Sequence, residues 1–342
     1  MIEKNKTRIL IVTQKVDKND PVLGFFHSWI MELSQYHRSV IVVCLQKGIY
    51  DLPENVKVLS LGKEDDRSKF KYVTNFYRYV WRERKNYNVV FAHMNQEYVL
   101  LGGVLWKILG KKLYLWRNHK FGNFLTNLSV LLSDQVFCTS KFSYTARFKK
   151  TILMPVGIDT NFFRPSLNIE KVPGSILSLG RISRVKRLDV LIEALLRLKE
   201  DGIYFKATIV GSPVSVDDCA YERELHLMAE PLVKCGILEF ISGGAQDNII
   251  DFYKNHEVFV NLTPAGSMDK TIFEAMACEM MVLVNNENVV KELKSNLVNL
   301  LQLNQKDKIK LGEKNRQEVI NKHSLFLLVK SLSEIFTTDH NL

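Results

Sequence analysis

The strongest constraint on this chain is a series of short apolar runs that occurs twice. In the first half they are "RILIVT" (8–13), "SVIVVCL" (39–45), "NVVFAH" (88–93), "KLYLW" (112–116) and "QVFCTS" (135–140), separated by stretches with helical spacing. Strands that are apolar without alternation must be covered on both faces, the situation of a parallel sheet flanked by helices. The pattern restarts after residue 174 with "SILSLG" (175–180), "FKATIVG" (205–211), "LEFIS" (238–242), "EVFVNL" (257–262) and "MVLVN" (281–285). Two successive α/β sheets of similar size predict two Rossmann-like domains facing each other across a cleft. A chain of 342 residues, too long for one hydrophobic core, agrees with that division.

Between the two sets lies "MPVGIDTNFFRPSLNIEKVPG", rich in turn formers and without periodicity, which reads as the interdomain connection. The expected organisation is a first domain at 1–157, a second at 158–322 and a terminal segment at 323–342. In that last segment "SLFLLVKSLSEIF" (324–336) forms an amphipathic helix that needs a surface to cover. The N-terminal "MIEKNKTRILIVTQ" has only about six apolar-rich positions, too few for a signal-peptide core. The run "YVLLGGVLW" (98–106) is far short of the roughly 20 residues of a bilayer span. The expected location is the cytoplasm, with the inner face of the membrane as a second possibility. Cys44, Cys138, Cys219, Cys235 and Cys278 include no C-x-x-C pair, so they read as reduced thiols, mostly buried, rather than a disulfide framework or a zinc site.

Charge is unevenly placed. Residues 1–150 hold 25 Lys and Arg against 12 Asp and Glu, whereas the remainder holds 22 against 25. A basic first half suggests an anionic partner, such as membrane phosphates or an acidic acceptor. Nucleic acid is not expected, because the basic residues are dispersed and no groove-reading module is recognisable. The segment "DRSKFKYVTNFYRYVWRERKNYN" (66–88) interleaves Phe70, Val73, Phe76, Tyr77, Val80 and Trp81 with Lys69, Lys71, Arg78, Arg82, Arg84 and Lys85. Helical spacing predicts one aromatic stripe with most cations elsewhere. The plainer reading is a sheet-covering helix with a solvated basic face, and the alternative is a membrane-docking helix.

"LSLGRISRVKRLDVLIEALLRL" sets Gly180 and Arg181 at a strand end, with Lys186 just before a helix. Ligands of open α/β sheets bind beyond the carboxyl ends of the strands, where a glycine admits a phosphate and cations neutralise it. Arg181 and Lys186 suit a diphosphate; a merely solvated basic turn, with Arg184 and Arg187, is the plain alternative. "TPAGSMDKTIFEAMACE" (263–279) is a loop running into a second helix, with Glu274 just inside it. Glu274 is placed to accept hydrogen bonds from vicinal hydroxyls such as those of a ribose, or it is a first-turn residue serving the helix dipole. His93 reads as a structural polar residue at a strand end, and His119 in "WRNHK" is open between structural and functional roles.

Together, "VGIDTNFFRP" (156–165), "LGRISRVKR" (179–187), "ATIVGS" (207–212), "LEFISGG" (238–244), "DFYKNHEVFVNLTP" (251–264) and "FEAMACE" (273–279) resemble a retaining glycosyltransferase of family four, with the GT-B fold. In the first half "PVLGFF", "NVVFAHMNQ" and "LYLWRNHK" resemble the family's acceptor-side segments more loosely. The resemblance implies two Rossmann-like domains with the C-terminal helix crossing back to the N-domain. It implies that Arg181 and Lys186 hold the donor diphosphate and stabilise the leaving group, and that Glu274 binds the ribose. It places Gly180, Gly211, Gly243, Gly266, Ser267, Asp269, Lys270 and Thr271 around the donor, His119 near the transferred sugar, and Gly24 with Phe25 at the acceptor. The donor would be a nucleotide sugar, UDP- or GDP-linked, used as substrate, with no cofactor and no metal ligand. The acceptor would be a glycan or lipid-linked hydroxyl, in polysaccharide or glycolipid assembly.

Three positions depart from the family pattern. Gly266 stands where a first glutamate is usual, Arg187 where a glycine often follows the lysine, and Glu279 where a glycine usually ends the helix. The family's usual strand after "VLVNNENVVKEL" is not recognisable either. Because Arg181, Lys186 and Glu274 are all present, the expectation is a hexosyl-transferring enzyme with a rebuilt sugar pocket. The alternatives are another enzyme on the same fold and an inactive nucleotide-binding or scaffold subunit.

Overall fold

A computed structural model of the chain describes residues 5–20, 22–66, 68–166, 170–243, 246–264, 269–285 and 292–338. The residues divide into two compact units. One holds Met1–Gly157 and Leu325–Leu342, the other Ile158–Ala265 and Asp269–Ser324.

The first unit runs β1 (Asn5–Val16), α1 (Phe25–Tyr36), β2 (His37–Lys47), β3 (Val56–Ser60), α2 (Lys69–Arg82), β4 (Val89–His93), α3 (Gln96–Ile108), β5 (Lys112–Trp116), α4 (Phe124–Leu132), β6 (Gln135–Cys138) and β7 (Thr151–Leu153). The sheet order is β3-β2-β1-β4-β5-β6-β7, with every pairing parallel. Alternate side chains of each strand go to opposite faces, so the apolar runs feed two cores. Ile9 and Ile11 enter one, with Val40, Val42 and Phe91. Leu10 and Val12 enter the other, with Ile41, Val43 and Val90.

The second core is closed by α2, α3 and α4 through Phe76, Val80, Val99, Trp106 and Val130. The first has α1, and the C-terminal helix Leu325–Thr338 joins it there, inserting Leu325, Leu328, Val329, Leu332 and Phe336 at helical spacing. This is the amphipathic segment read from the sequence, and it completes a face that α1 alone would leave open. Gly157 lies beneath it with φ +79°; a Cβ there would come within 2.4 Å of Leu328 Cδ2 and 2.7 Å of Trp29 Cζ2. The Trp29 indole donates to the Gly157 carbonyl at 3.2 Å.

The second unit runs β8 (Val172–Leu179), α5 (Leu188–Glu200), β9 (Lys206–Val210), α6 (Val216–Val233), β10 (Leu238–Ile241), α7 (Gln246–Asn255), β11 (His256–Asn261), α8 (Lys270–Ala277) and β12 (Met281–Val284), followed by helices Leu293–Leu301 and Gln305–Lys322. Its parallel order is β10-β9-β8-β11-β12. Successive crossovers therefore turn from one side to the other between β8 and β11. That is the point in a doubly wound sheet where the loops diverge and leave a crevice. No strand follows β12 among the described residues, in line with the missing strand signal there.

Two features were not legible beforehand. β3 ("VKVLS", with Lys57 as its second residue) and β7 ("TIL") are short edge strands, too brief to carry a periodicity. The aromatics of α2 also do not form one stripe. Asn75, Phe76 and Val80 are buried, whereas Phe70, Val73, Tyr77 and Trp81 are exposed on the other side. Of the cysteines, Cys44, Cys138 and Cys278 are buried, Cys219 is half-buried and Cys235 exposed, and all are free thiols.

Candidate functional site

The loops that leave β8, β9 and β10 are tied edge to edge. The Gly180 amide donates to the Val210 carbonyl at 3.0 Å and the Gly211 amide to the Ile241 carbonyl at 2.9 Å. The Gly243 amide donates to Ser212 Oγ at 3.1 Å. A Cβ on Gly211 would sit 2.0 Å from the Gly180 oxygen, so only glycine lets these two backbones approach. Gly180 has φ +138°, and the space a side chain would fill is taken by Lys186, whose Nζ is 3.1 Å from that position. Gly243 packs on Gly211 at ordinary contact distance. The three strand-end glycines read from the sequence are thus one surface, with Lys186 folded over it.

Lys186 ends a short 3-10 turn, Arg184–Lys186, and its ammonium is ion-paired with Asp269. Asp269 is the N-cap of α8, accepting from the Thr271 amide at 3.3 Å and from Thr271 Oγ1 at 2.9 Å. Asn261, buried at the end of β11, donates to the same carboxylate at 2.9 Å. Burial pushes the Asp269 carboxyl up, but the Lys186 ammonium and the hydrogen bonds from Lys186, Asn261 and Thr271 outweigh it and hold the group below the ordinary aspartate value. The β8 and β11 loops are joined in this way across the strand-order reversal. Arg181, next to Gly180 in the chain, is exposed. Arg184 is committed elsewhere, its Nη2 donating to both carboxylate oxygens of Glu224 at 2.7 and 2.8 Å and its guanidinium 4.9 Å above the Tyr221 ring. Of the four cations in this loop, then, Lys186 is the one held against the glycines.

Glu274 is the fifth residue of α8, in its second turn, and the first turn holds no acid. The dipole explanation of Glu274 therefore fails, since that effect is confined to the first turn. Its Oε2 accepts from the Tyr253 hydroxyl at 2.9 Å, and Tyr253, on α7, is fully buried. Burial pushes Glu274 up and Lys270, one turn earlier, down, while each charge draws the other back toward its ionised form. Burial, with Glu274 next to it, also raises Tyr253 well above its usual value. Lys270 and Thr271 thus serve the carboxylates of their own helix, and Gly266 and Ser267 lie outside the described residues.

Three residues of this framework were missed. Asn261 ends an apolar strand and gave only a weak polar signal. Tyr253 is indistinguishable in sequence from any core aromatic. Lys171, in the connection, donates to the carbonyls of Tyr253, His256 and Cys278 at 3.2, 3.0 and 3.0 Å, tying the ends of α7 and α8 together. Burial pushes its ammonium down to about 8. Two of the departures from the family pattern also have a physical meaning: Arg187 has φ +52° and Glu279 φ +58°. Both are left-handed positions that glycine occupies without strain, which is why it is usual there.

In the first unit, Gly24 is the helical N-cap of α1 and donates to the Asp20 carbonyl at 2.9 Å. Phe25 is half-buried, edge-on to Trp29 at 5.7 Å and to His93 at 6.1 Å. His93 is buried, stacked on Phe26 at 3.6 Å with its Nδ1 3.2 Å from Thr13 Oγ1, as its structural reading required. His119 is exposed after β5, and its Nδ1 accepts from the Phe121 amide at 3.1 Å. The predicted site residues therefore divide between the units. Gly180, Arg181, Lys186, Gly211, Gly243, Asp269, Lys270, Thr271 and Glu274 belong to the second; Gly24, Phe25 and His119 belong to the first.

Residues 159–322 match the family described as glycosyl transferases group 1. That stretch, a little under half of the chain, contains every residue of the Lys186–Asp269–Glu274 framework. No curated protein sequence matches the chain. Among solved structures, a glycosyltransferase from Rickettsia africae is similar with a TM-score of 0.75 at 14% identity, covering 98% of this chain and 99% of that one. HepE of Anabaena, solved with UDP-glucose, is similar at 0.72 and 14%, covering 97% and 100%. Sucrose-phosphate synthase from Thermosynechococcus elongatus is similar at 0.73 and 14%, covering 98% and 100%. At such identity the likeness is one of fold, and the fold is GT-B. Among the described residues, no helix is long and apolar enough to cross a membrane.

Proposed function

We propose that the protein is a retaining glycosyltransferase that moves a hexose from a UDP- or GDP-sugar to a hydroxyl of a glycan or lipid-linked acceptor, in polysaccharide or glycolipid assembly. The observation that carries the reading is Lys186. It is folded over three strand-end glycines at the strand-order reversal of the sheet, within the stretch that matches glycosyl transferases group 1 and beside the N-terminus of α8. A diphosphate there meets backbone amides and the Arg181 and Lys186 cations, while Glu274, fixed by Tyr253, accepts from the ribose hydroxyls.

In the reaction, the bond between the anomeric carbon and the diphosphate oxygen breaks as the acceptor oxygen bonds to the same face of that carbon. The acceptor proton passes to the departing phosphate oxygen. Negative charge grows on the diphosphate, so Arg181 and Lys186 lower the barrier by meeting it there. His119 is assigned to the transferred sugar, and Gly24 and Phe25 to the acceptor.

The test is calorimetric titration with UDP, GDP and their hexose conjugates, followed by assay of nucleotide release with and without a lipid-linked or glycan acceptor. Binding of one nucleotide series, with release accelerated by an acceptor, is expected. Tight binding with no release under any acceptor would favour a nucleotide-binding scaffold subunit instead. No binding at all would end the donor-site assignment.

A further inference from the structure

The outer side of α2 is built unlike the solvent side of an ordinary sheet-covering helix. Asn75, Phe76 and Val80 fasten it to the unit, with the Asn75 side chain donating to the Leu61 carbonyl at 3.0 Å and Phe76 5.8 Å from the Trp106 ring. On the side turned away, Phe70, Val73, Tyr77 and Trp81 are exposed by 77%, 36%, 40% and 53%. Their spacing, i, i+3, i+7 and i+11, puts them on one line along the helix. The apolar surface continues onto α3. The Tyr77 hydroxyl donates to the Leu101 carbonyl of α3 at 2.8 Å, and the exposed residues of that helix include Val104 (59%) and Ile108 (78%).

Cations flank this line. Lys69, Lys71, Arg78, Arg82 and Lys85 are exposed around it, and Arg84 lies 4.4 Å over the Trp81 ring. Within 69–85 the acid is Glu83, which is buried and taken up by Lys57 at 2.9 Å and Arg82 at 3.1 Å; the exposed acids nearby, Asp66 and Glu97, lie before α2 and in the first turn of α3. The core of a protein–protein contact is depleted of charge, whereas here long basic side chains alternate with Phe, Tyr and Trp. That mixture fits a bilayer interface, where aromatic rings settle at headgroup depth and Lys and Arg stems reach the lipid phosphates.

We propose that the outer face of α2, extended by Val104 and Ile108 of α3, docks the first unit on a lipid bilayer of anionic headgroups. Phe70, Tyr77 and Trp81 enter the interface, while Lys71, Arg78 and their neighbours meet the phosphates. The surface lies wholly in the first unit and binds without donor, so its test is independent of the sugar-transfer reading.

The chain carries four tryptophans, of which Trp29, Trp106 and Trp116 are at most 2% exposed, so a change in emission on docking reports Trp81. The experiment incubates the full chain with phosphatidylglycerol–phosphatidylcholine vesicles or with phosphatidylcholine alone, and records sedimentation and tryptophan emission. Expected is a blue shift with the anionic vesicles and binding about tenfold tighter than to the neutral ones, weakened by salt. Phe70→Ser should abolish most of the shift, and the pair Lys71→Glu with Arg78→Glu should abolish the preference for anionic lipid. These side chains are exposed, so circular dichroism should report an unchanged fold. Absence of sedimentation with anionic vesicles, or full binding by both sets of variants, would overturn the proposal. So would a concentration-dependent dimer that Phe70→Ser dissociates while vesicles stay unbound, which would assign the face to a second copy of the chain.

Discussion

The ammonium of Lys186 and the carboxylate of Asp269 form an ion pair that joins the loop after β8 to the N-terminus of α8. Asp269 thereby places an anion of the protein's own where the proposed donor would bring its diphosphate. The donor gains Lys186 only as this pair opens. Asp269→Asn retains a capping side chain and removes the charge. It should bind the preferred nucleoside diphosphate about tenfold more tightly, a gain of roughly 1.4 kcal/mol, and Lys186→Ala should bind it more weakly than the wild type. Titration calorimetry of both variants decides the matter, and weaker binding by Asp269→Asn would make Asp269 a positioning group for Lys186 instead. The sign for stability follows from the depressed carboxyl. The pair's contribution is complete above the ordinary aspartate value and fades as pH falls through the lower folded one.

Gly211 separates two backbones that have no room for a methyl group. A Cβ 2.0 Å from the Gly180 oxygen forces the β8 loop outward, and Lys186 moves with it. Gly211→Ala should cost about 1–3 kcal/mol of second-unit stability, as overpacking does, and weaken nucleotide binding beyond what the stability loss explains. Urea unfolding alongside calorimetry at a temperature where the variant is folded measures the two effects separately.

His37 lies at the start of β2, fully buried, with Nε2 3.0 Å from Ser333 Oγ on the terminal helix. Burial pushes its imidazole down to about 4. The unfolded chain, with an ordinary histidine near 6.5, therefore takes up a proton that the folded unit refuses. Stability of the first unit is full above about pH 6.5 and falls as pH drops toward 4, by roughly 2 kcal/mol at pH 5 from this group alone. His37→Gln should flatten the part of the urea-midpoint profile between pH 7 and 5 that His37 supplies.

Glu279 follows α8 at φ +58°, a conformation that costs a side-chain-bearing residue about 1–2 kcal/mol. Its carboxylate reaches Arg316 only at 4.0 Å, too far to recover that cost. Glu279→Gly should stabilise the second unit by roughly 1 kcal/mol, worth about 2–4 °C in its melting midpoint, whereas Glu279→Ala should give no such gain. Differential scanning calorimetry of the two variants separates relief of backbone strain from loss of the side chain.

The sequence by itself determined the layers. Runs such as "RILIVT" and "SVIVVCL" are apolar at successive positions, so their strands had to be covered on both faces, and parallel α/β units follow from that local fact. It also determined the residue types at the strand ends, because Gly180, Gly211 and Gly243 follow recognisable strands. Tertiary structure decided what the sequence left symmetrical. Helical spacing grouped Phe70 and Trp81 with Phe76 and Val80, but only the direction in which α2 meets the sheet buries one pair and exposes the other. Sequence proximity put Asp269 in a loop beside a helix; only the approach of β8 to β11 brings Lys186 to it, 83 residues away. Glu274 read as a first-turn residue because no local signal fixes where a helix begins, and Asp269 became its cap through partners supplied by β11. Periodicity is carried by neighbours along the chain, whereas pairing depends on which strands lie side by side, and that is set by the packing of the whole unit.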